Sequence, residues 1–419
     1  MNSCGCRGGA MSRSTLMQKV AKIAFILLTV AMLFLLFSND FGLVDIHKAS
    51  IVVAVGVDVT ESGYEVTAQA AVPTPAQGEG SAAYTQVTGE GVTVAEAVDD
   101  INAKTGFYPK LAFCNLVILG ENCKDSGLFT VLDYFYRNDY VPLTALVAMC
   151  RGSAKELLGQ KPADGGMSSS AIQRAMSEEL KNSANASTIN LKLLAQDANS
   201  PSASAYMPFI ESSQDGSGGA TTASSGGSGG SGGSSGSSSG SSGGRAKSGG
   251  NSAEFTCRTT AAFFSGGFIG VLDEEQAFAL NLMRSQIRLA IVNAVYEDVD
   301  YTVGLKNNSC TMQMAVEEGA PVLTVRYRAL ANVQSSKSRP AAEGSANSHL
   351  VDEGVLRAVS GEIEERMRSL ESFCTQNGCD LFGAEKMLYQ RFYSDYQLLK
   401  GGVLPVLKVK YDIKINSVH

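Results

Sequence analysis

Residues 224–244, SSGGSGGSGGSSGSSSGSSGG, contain only serine and glycine. Neither residue offers apolar surface to bury, and glycine leaves the backbone free, so this stretch supplies no core and behaves as flexible coil. Any compact fold must be assembled from the chain on either side, and the run either separates two domains or interrupts one. SAYMPFIE (204–211) before it and EFTCRTTAAFF (254–264) after it both have strand character. If those strands pair, the run is an overgrown hairpin loop. Loop-closure entropy grows only as about (3/2)RT ln n, so roughly 40 residues cost about 1.2 kcal/mol more than ten.

The expected organisation follows. Residues 1–19 are a cytoplasmic N-terminus and 20–38 a transmembrane signal anchor. Residues 50–160 form an N-terminal α/β domain, and 161–286 a middle α/β domain interrupted by the Ser/Gly-rich loop 212–253. Residues 287–419 form a C-terminal α+β domain, with boundaries near Lys161 and Gln286. The fold class is thus mixed α/β and α+β, three domains each with a mixed or antiparallel sheet. The anchor rests on IAFILLTVAMLFLLF (23–37), uncharged and preceded by Arg13, Lys19 and Lys22, which places the N-terminus inside and the bulk of the chain outside. FSNDFG after the run lacks a small-x-small cleavage pattern.

Beyond the anchor, IVVAVGVDVT and YEVTAQAAV read as a hairpin. VTVAEAVDDINAKTG places Val94, Ala97, Val98 and Ile101 on one helix face, and GLFTVLDYFYRN does the same for Leu128, Val131, Leu132 and Phe135. LAFCNLVILGE suits a central strand. Helices are expected over SSAIQRAMSEELKNS and TINLKLLAQD, and an amphipathic one places Phe278, Leu282 and Ile287 on one side. In the last third, antiparallel strands precede a long helix with Val355, Val359, Ile363, Met367 and Leu370 at helical spacing. A second helix covers GAEKMLYQRFYSDYQLL, and an alternating strand closes at 404–416.

A net charge of −7 argues against nucleic-acid binding. The three histidines, His47, His349 and His419, are too scattered for a triad or a metal site. Paired carboxylates such as Asp99/Asp100 and Glu364/Glu365 diverge on helices and read as solvated faces. No phosphate loop, nucleophile elbow or CxxC occurs, so no enzyme activity, cofactor or metal is expected. Seven cysteines follow the anchor, an odd number that argues against a complete disulfide framework and for buried thiols. Aromatic and Arg side chains in YFYRNDY and YQRFYSDYQ are interface candidates.

Four blocks, in order, resemble the Ger(x)C family, the C subunits of bacterial spore germinant receptors. IVVAVGVDVTESGYEVTAQAAVP carries Gly56 and Asp58. LAFCNLVILGE…GLFTVLDYFYRN carries Arg137. TAAFFSGGFIGVLDEEQAFALNLM carries Gly270 and Leu272, with Ala262, Phe263 and Phe264 ahead of them. GCDLFGAEKMLYQRFYSDY carries Asp380 and Gly383. The resemblance implies a non-enzymatic subunit required for nutrient-triggered germination. It implies a place at the inner spore membrane or cell membrane, single-pass and largely extracytoplasmic, beside polytopic A- and B-type membrane subunits. Family members are typically lipoproteins with a cysteine after the hydrophobic stretch, where this chain has FSNDFG, so the helix itself is expected to be the tether. The competing readings are an extracytoplasmic solute-binding or sensor protein and an anchored cell-wall enzyme.

Overall fold

The computed structural model describes residues 13–37, 49–71, 84–106, 108–176, 184, 186–214, 252–284, 287–338, 351–399 and 402–418. The whole Ser/Gly run, Gln286, Cys4, Cys6 and the expected helix beyond Met176 lie outside the described residues. The chain divides into two units, residues 1–49 and 50–419.

In the first unit, α1 (Arg13–Phe37) exposes its apolar side chains, among them Phe25 and Leu28. Among the described residues no helix is long and apolar enough to cross a membrane. The spanning segment expected at 20–38 is therefore not shown.

The second unit opens with β1 (Ala49–Thr60), β2 (Gly63–Ala71) and β3 (Tyr84–Gly91), an antiparallel meander. Next come α2 (Val94–Thr105), β4 (Tyr108–Lys110), β5 (Leu116–Leu119), α3 (Leu128–Arg137), β6 (Leu146–Cys150) and α4 (Ala154–Gly159). The segment continues with α5 (Ser168–Ala175), α6 (Leu191–Ala198), β7 (Ser204–Gln214), β8 (Ala253–Phe264), β9 (Gly267–Leu272) and α7 (Glu274–Met283). Nine of these strands form one sheet in the order β3-β2-β1-β5-β6-β7-β8-β9, with β4 on β1. Its centre is parallel, its two ends antiparallel. A parallel centre needs both faces covered, and Leu116–Leu119 is buried throughout. The α4 and α5 side is packed by Leu157, Leu158 and Ile172. Helices α2, α3, α6 and α7 contribute to the larger core.

Residues 50–160 and 161–286, expected to carry a sheet each, share one. The join is the parallel pairing of β6 with β7, Met149↔Phe209 and Cys150↔Ile210. That ladder begins just past Pro208, which has no N–H to contribute. Across the Ser/Gly run, β7 and β8 pair antiparallel from Ser204↔Phe264 to Gln214↔Ala253, so the run connects the two strands of a hairpin.

The rest is β10 (Leu289–Tyr296), β11 (Val299–Glu317), β12 (Ala320–Ser338), α8 (Glu353–Asn377), α9 (Ala384–Arg391), α10 (Tyr393–Leu399) and β13 (Lys408–Ser417). The second sheet has the order β10-β11-β12-β13, with β13 parallel to β12. Helix α8 covers one face, burying Val355, Val359, Ile363, Met367 and Leu370. Two expectations are corrected. The helix placed over 383–399 breaks at Phe392 (φ −134°, ψ 59°), which packs against the core. Helix α7 is not one-sided: Ala277 through Met283 are all buried, because α7 lies between β8 and α8.

Candidate functional site

The glycine and aspartate of the first block meet at the start of α4. Asp58, near the end of β1, is buried and accepts hydrogen bonds from Ser153 Oγ (3.0 Å), the Ala154 amide (2.8 Å) and the Lys155 amide (2.9 Å). Ser153 is also the N-cap of α4, accepting from the Glu156 amide. A helix start leaves its first N–H groups unpaired, and here a carboxylate nearly a hundred residues upstream satisfies two of them. Two glycines make room. A Cβ on Gly56 would meet Ala154 Cβ at 3.0 Å and Leu158 Cδ1 at 3.1 Å, and one on Gly120 would collide with Asp58 Oδ1. Gly120 and Ser153 escaped sequence reasoning, although SAKE carries the Ser-x-x-Glu signature of a helix start.

Asp380 and Gly383 perform a similar task at α9. Asp380 is buried, and its oxygens accept from the amides of Gly383 (2.8 Å) and Glu385 (2.7 Å). Its own amide donates to Ser204 Oγ at the start of β7 (2.9 Å). Burial raises the Asp380 pKa, against the lowering effect of those amides. Gly383 stands at φ 81°, a left-handed angle that favours glycine. Arg284 closes the junction: its Nε donates to Leu381 O (2.9 Å), it pairs with Asp197 (3.4 Å), and it lies over the Tyr206 ring. Burial pushes Glu385 up to about 7, with the Asp380 carboxylate adding to the shift.

Leu272 is fully buried and pairs with Thr260. Gly270 lies on β9, where an added Cβ would make ordinary contact with the Phe373 ring of α8 at 3.7 Å, so packing does not demand glycine there.

Arg137 stands apart from the other six. At the last turn of α3 it pairs with Asp133 (2.7 Å) and its side chain is 79% exposed. It lines an open cleft of about 740 Å³ with Tyr64, Val92, Thr93, Phe129 and Asp133. Val92 is 69% exposed in that rim. The cleft offers an apolar floor with one cation and one carboxylate, a composition suited to a protein contact. Among the described residues no group of acidic, histidine and cysteine side chains is placed to hold a metal. All seven described cysteines are buried.

Residues 43–212 match the family model described as the spore germination protein N-terminal domain. Residues 259–418 match the one described as spore germination B3/GerAC like, C-terminal. A solved structure titled the crystal structure of the GerBC protein aligns with a TM-score of 0.48 and 13% identity, over 87% of this chain and 97% of that one. No curated protein matches. With its two halves matched in order on either side of the Ser/Gly run, the chain belongs to the Ger(x)C family of spore germinant receptor C subunits.

Proposed function

We propose that this protein is a non-enzymatic, membrane-anchored subunit of a germinant receptor, required for nutrient-triggered germination through contacts with A- and B-type polytopic membrane subunits. The family match over 43–212 and 259–418 carries the reading. The tether in this proposal is the apolar helix at 20–38, and the bulk of the chain is extracytoplasmic. The segment bounds near Lys161 and Gln286 belong to the same proposal, with 50–160 and 161–286 contributing to one shared sheet and 287–419 carrying the other. The cleft around Arg137 is the contact surface, since the other six motif residues are spent inside the scaffold or, for Gly270, against α8.

Deleting the gene slows the nutrient response of spores and leaves vegetative growth unchanged. Detergent extracts of tagged chain yield two polytopic subunits, and their recovery falls with Arg137→Glu combined with Val92→Asp. Normal germination in the deletion strain sinks the receptor role. Undiminished recovery with the double variant moves the contact elsewhere.

A further inference from the structure

Helix α8 covers only one face of the second sheet. On β13, Val409, Tyr411, Ile413 and Ile415 turn toward it, and Tyr411 Oη donates to Glu371 of α8 (2.7 Å). Alternation then sends Lys408, Lys410, Asp412 and Lys414 to the other face. The register continues the pattern: Arg326 lies beside Asp412 and Arg328 beside Lys414 on β12, and Lys306 faces Leu330 from β11. Lys306, Arg326, Lys408, Lys410 and Lys414 are exposed and Arg328 half-buried.

These six basic side chains share the face with two carboxylates at their end of the sheet. Asp412 is held by Arg328 (2.7 Å) and Arg326 (3.9 Å), which keep it below the usual carboxylate range, and Glu317 by Lys410 (2.8 Å). Asp300 and Lys337 oppose each other at the far end and cancel. Glu297, Asp298 and Glu318 sit in the hairpin turns. The face therefore carries a net charge of about +4 in a chain whose formal net charge is −7. Lys306, Lys408 and Lys414 make no ion pair among the described residues.

We propose that this open sheet face docks on the anionic headgroups of a phospholipid bilayer. The inference rests on the membrane-tethered reading above and adds the surface by which the folded part lies against the bilayer. Charge selects an anionic occupant. A second copy meeting the same face would set like charge against like. Each lysine or arginine held near an anionic leaflet gains about 1 kcal/mol, and several of them on one open face add up to a lipid-docking surface. At the β10 edge the same face exposes Ile291 (41%) and Val295 (53%), aliphatic groups that can seat at headgroup level beside the cations.

The test is lysine acetylation of the full chain on vesicles of phosphatidylcholine alone, or with about 30% phosphatidylglycerol, at low salt. Lys306, Lys408 and Lys414 are expected to label at least about threefold more slowly on the anionic vesicles, and about 0.5 M salt restores the rate. Lys161 and Lys192, exposed on other segments, keep theirs. In the K306Q/K408Q/K414Q chain, Lys410 labels at the same rate on both lipids. Equal labelling of the wild-type face on the two lipids overturns the proposal. So does protection by soluble polyglutamate without protection by anionic lipid, which makes the face a contact for an acidic protein. Failure of the chain to stay on phosphatidylcholine sinks the anchor alone, because the lipid difference still reads the face.

Discussion

Replacing Asp58 by alanine is expected to melt the start of α4 without unfolding the sheet. Three donors lose their acceptor: Ser153 Oγ, the Ala154 amide and the Lys155 amide. The Ser153 hydroxyl and the Lys155 amide are partly buried and can turn to water, at a cost of about 1 kcal/mol together. Ala154 is fully buried; its amide is left unpaired after losing a bond to a charged group, which costs about 2 kcal/mol more. A helix of six residues has little cooperativity of its own to resist this. The sum, about 3 kcal/mol, corresponds to a roughly 150-fold faster opening-limited amide exchange over residues 153–159. Peptide-resolved hydrogen exchange reads it directly, with the central strands β5 and β6 as the unchanged reference. Asp58→Asn keeps one acceptor oxygen and should fall between. Gly120→Ala, whose Cβ would displace the carboxylate, should reproduce the alanine phenotype with Asp58 still present. If α4 exchanges at the wild-type rate in Asp58→Ala, the cap holds nothing and the argument fails.

The carboxyl of Glu385, raised from 4.5 to about 7, favours the folded state while protonated. That stabilisation is complete below about pH 4.5 and lost as pH rises through about 7. Because the side chain is only partly buried, the full shift is discounted to about 1 kcal/mol. Glu385→Gln should therefore raise the melting temperature at pH 8 and leave it unchanged at pH 4. Shortening the segment between Gln214 and Ala253 to about ten residues should stabilise the chain by about 1 kcal/mol; collapse of the fold in a urea titration would show that the segment does more than connect. Burial pushes the thiols of Cys114, Cys123, Cys257 and Cys310 up to about 12. A thiol reagent at pH 8 should thus leave all four unmodified until denaturant is added, as mass spectrometry of the labelled chain will report.

The helix faces were legible because burial of a helix imposes its own spacing. Val94, Ala97, Val98 and Ile101 on α2, and Val355, Val359, Ile363, Met367 and Leu370 on α8, follow from periodicity and are buried. The hairpin across the Ser/Gly run was visible as two flanking strands. Motif resemblance picked out Gly56, Asp58, Asp380 and Gly383 but not what they touch. Their partners Ser153, Ala154, Gly120 and Ser204 are distant in sequence, and a hydrogen bond across that separation leaves no periodic trace.

Local patterns determined most elements and inward faces, the buried thiols and, through motif order, the family, but not the all-round burial of α7 or the break at Phe392. Residue spacing encodes which side of a strand or helix is apolar, and that needs no knowledge of the partner. Tertiary structure alone decided that two expected sheets are one, that β13 runs parallel to β12, and that one face of the second sheet gathers basic side chains from three strands. Those outcomes depend on which strands lie side by side, a choice made by the summed burial and ladder hydrogen bonds of the whole chain.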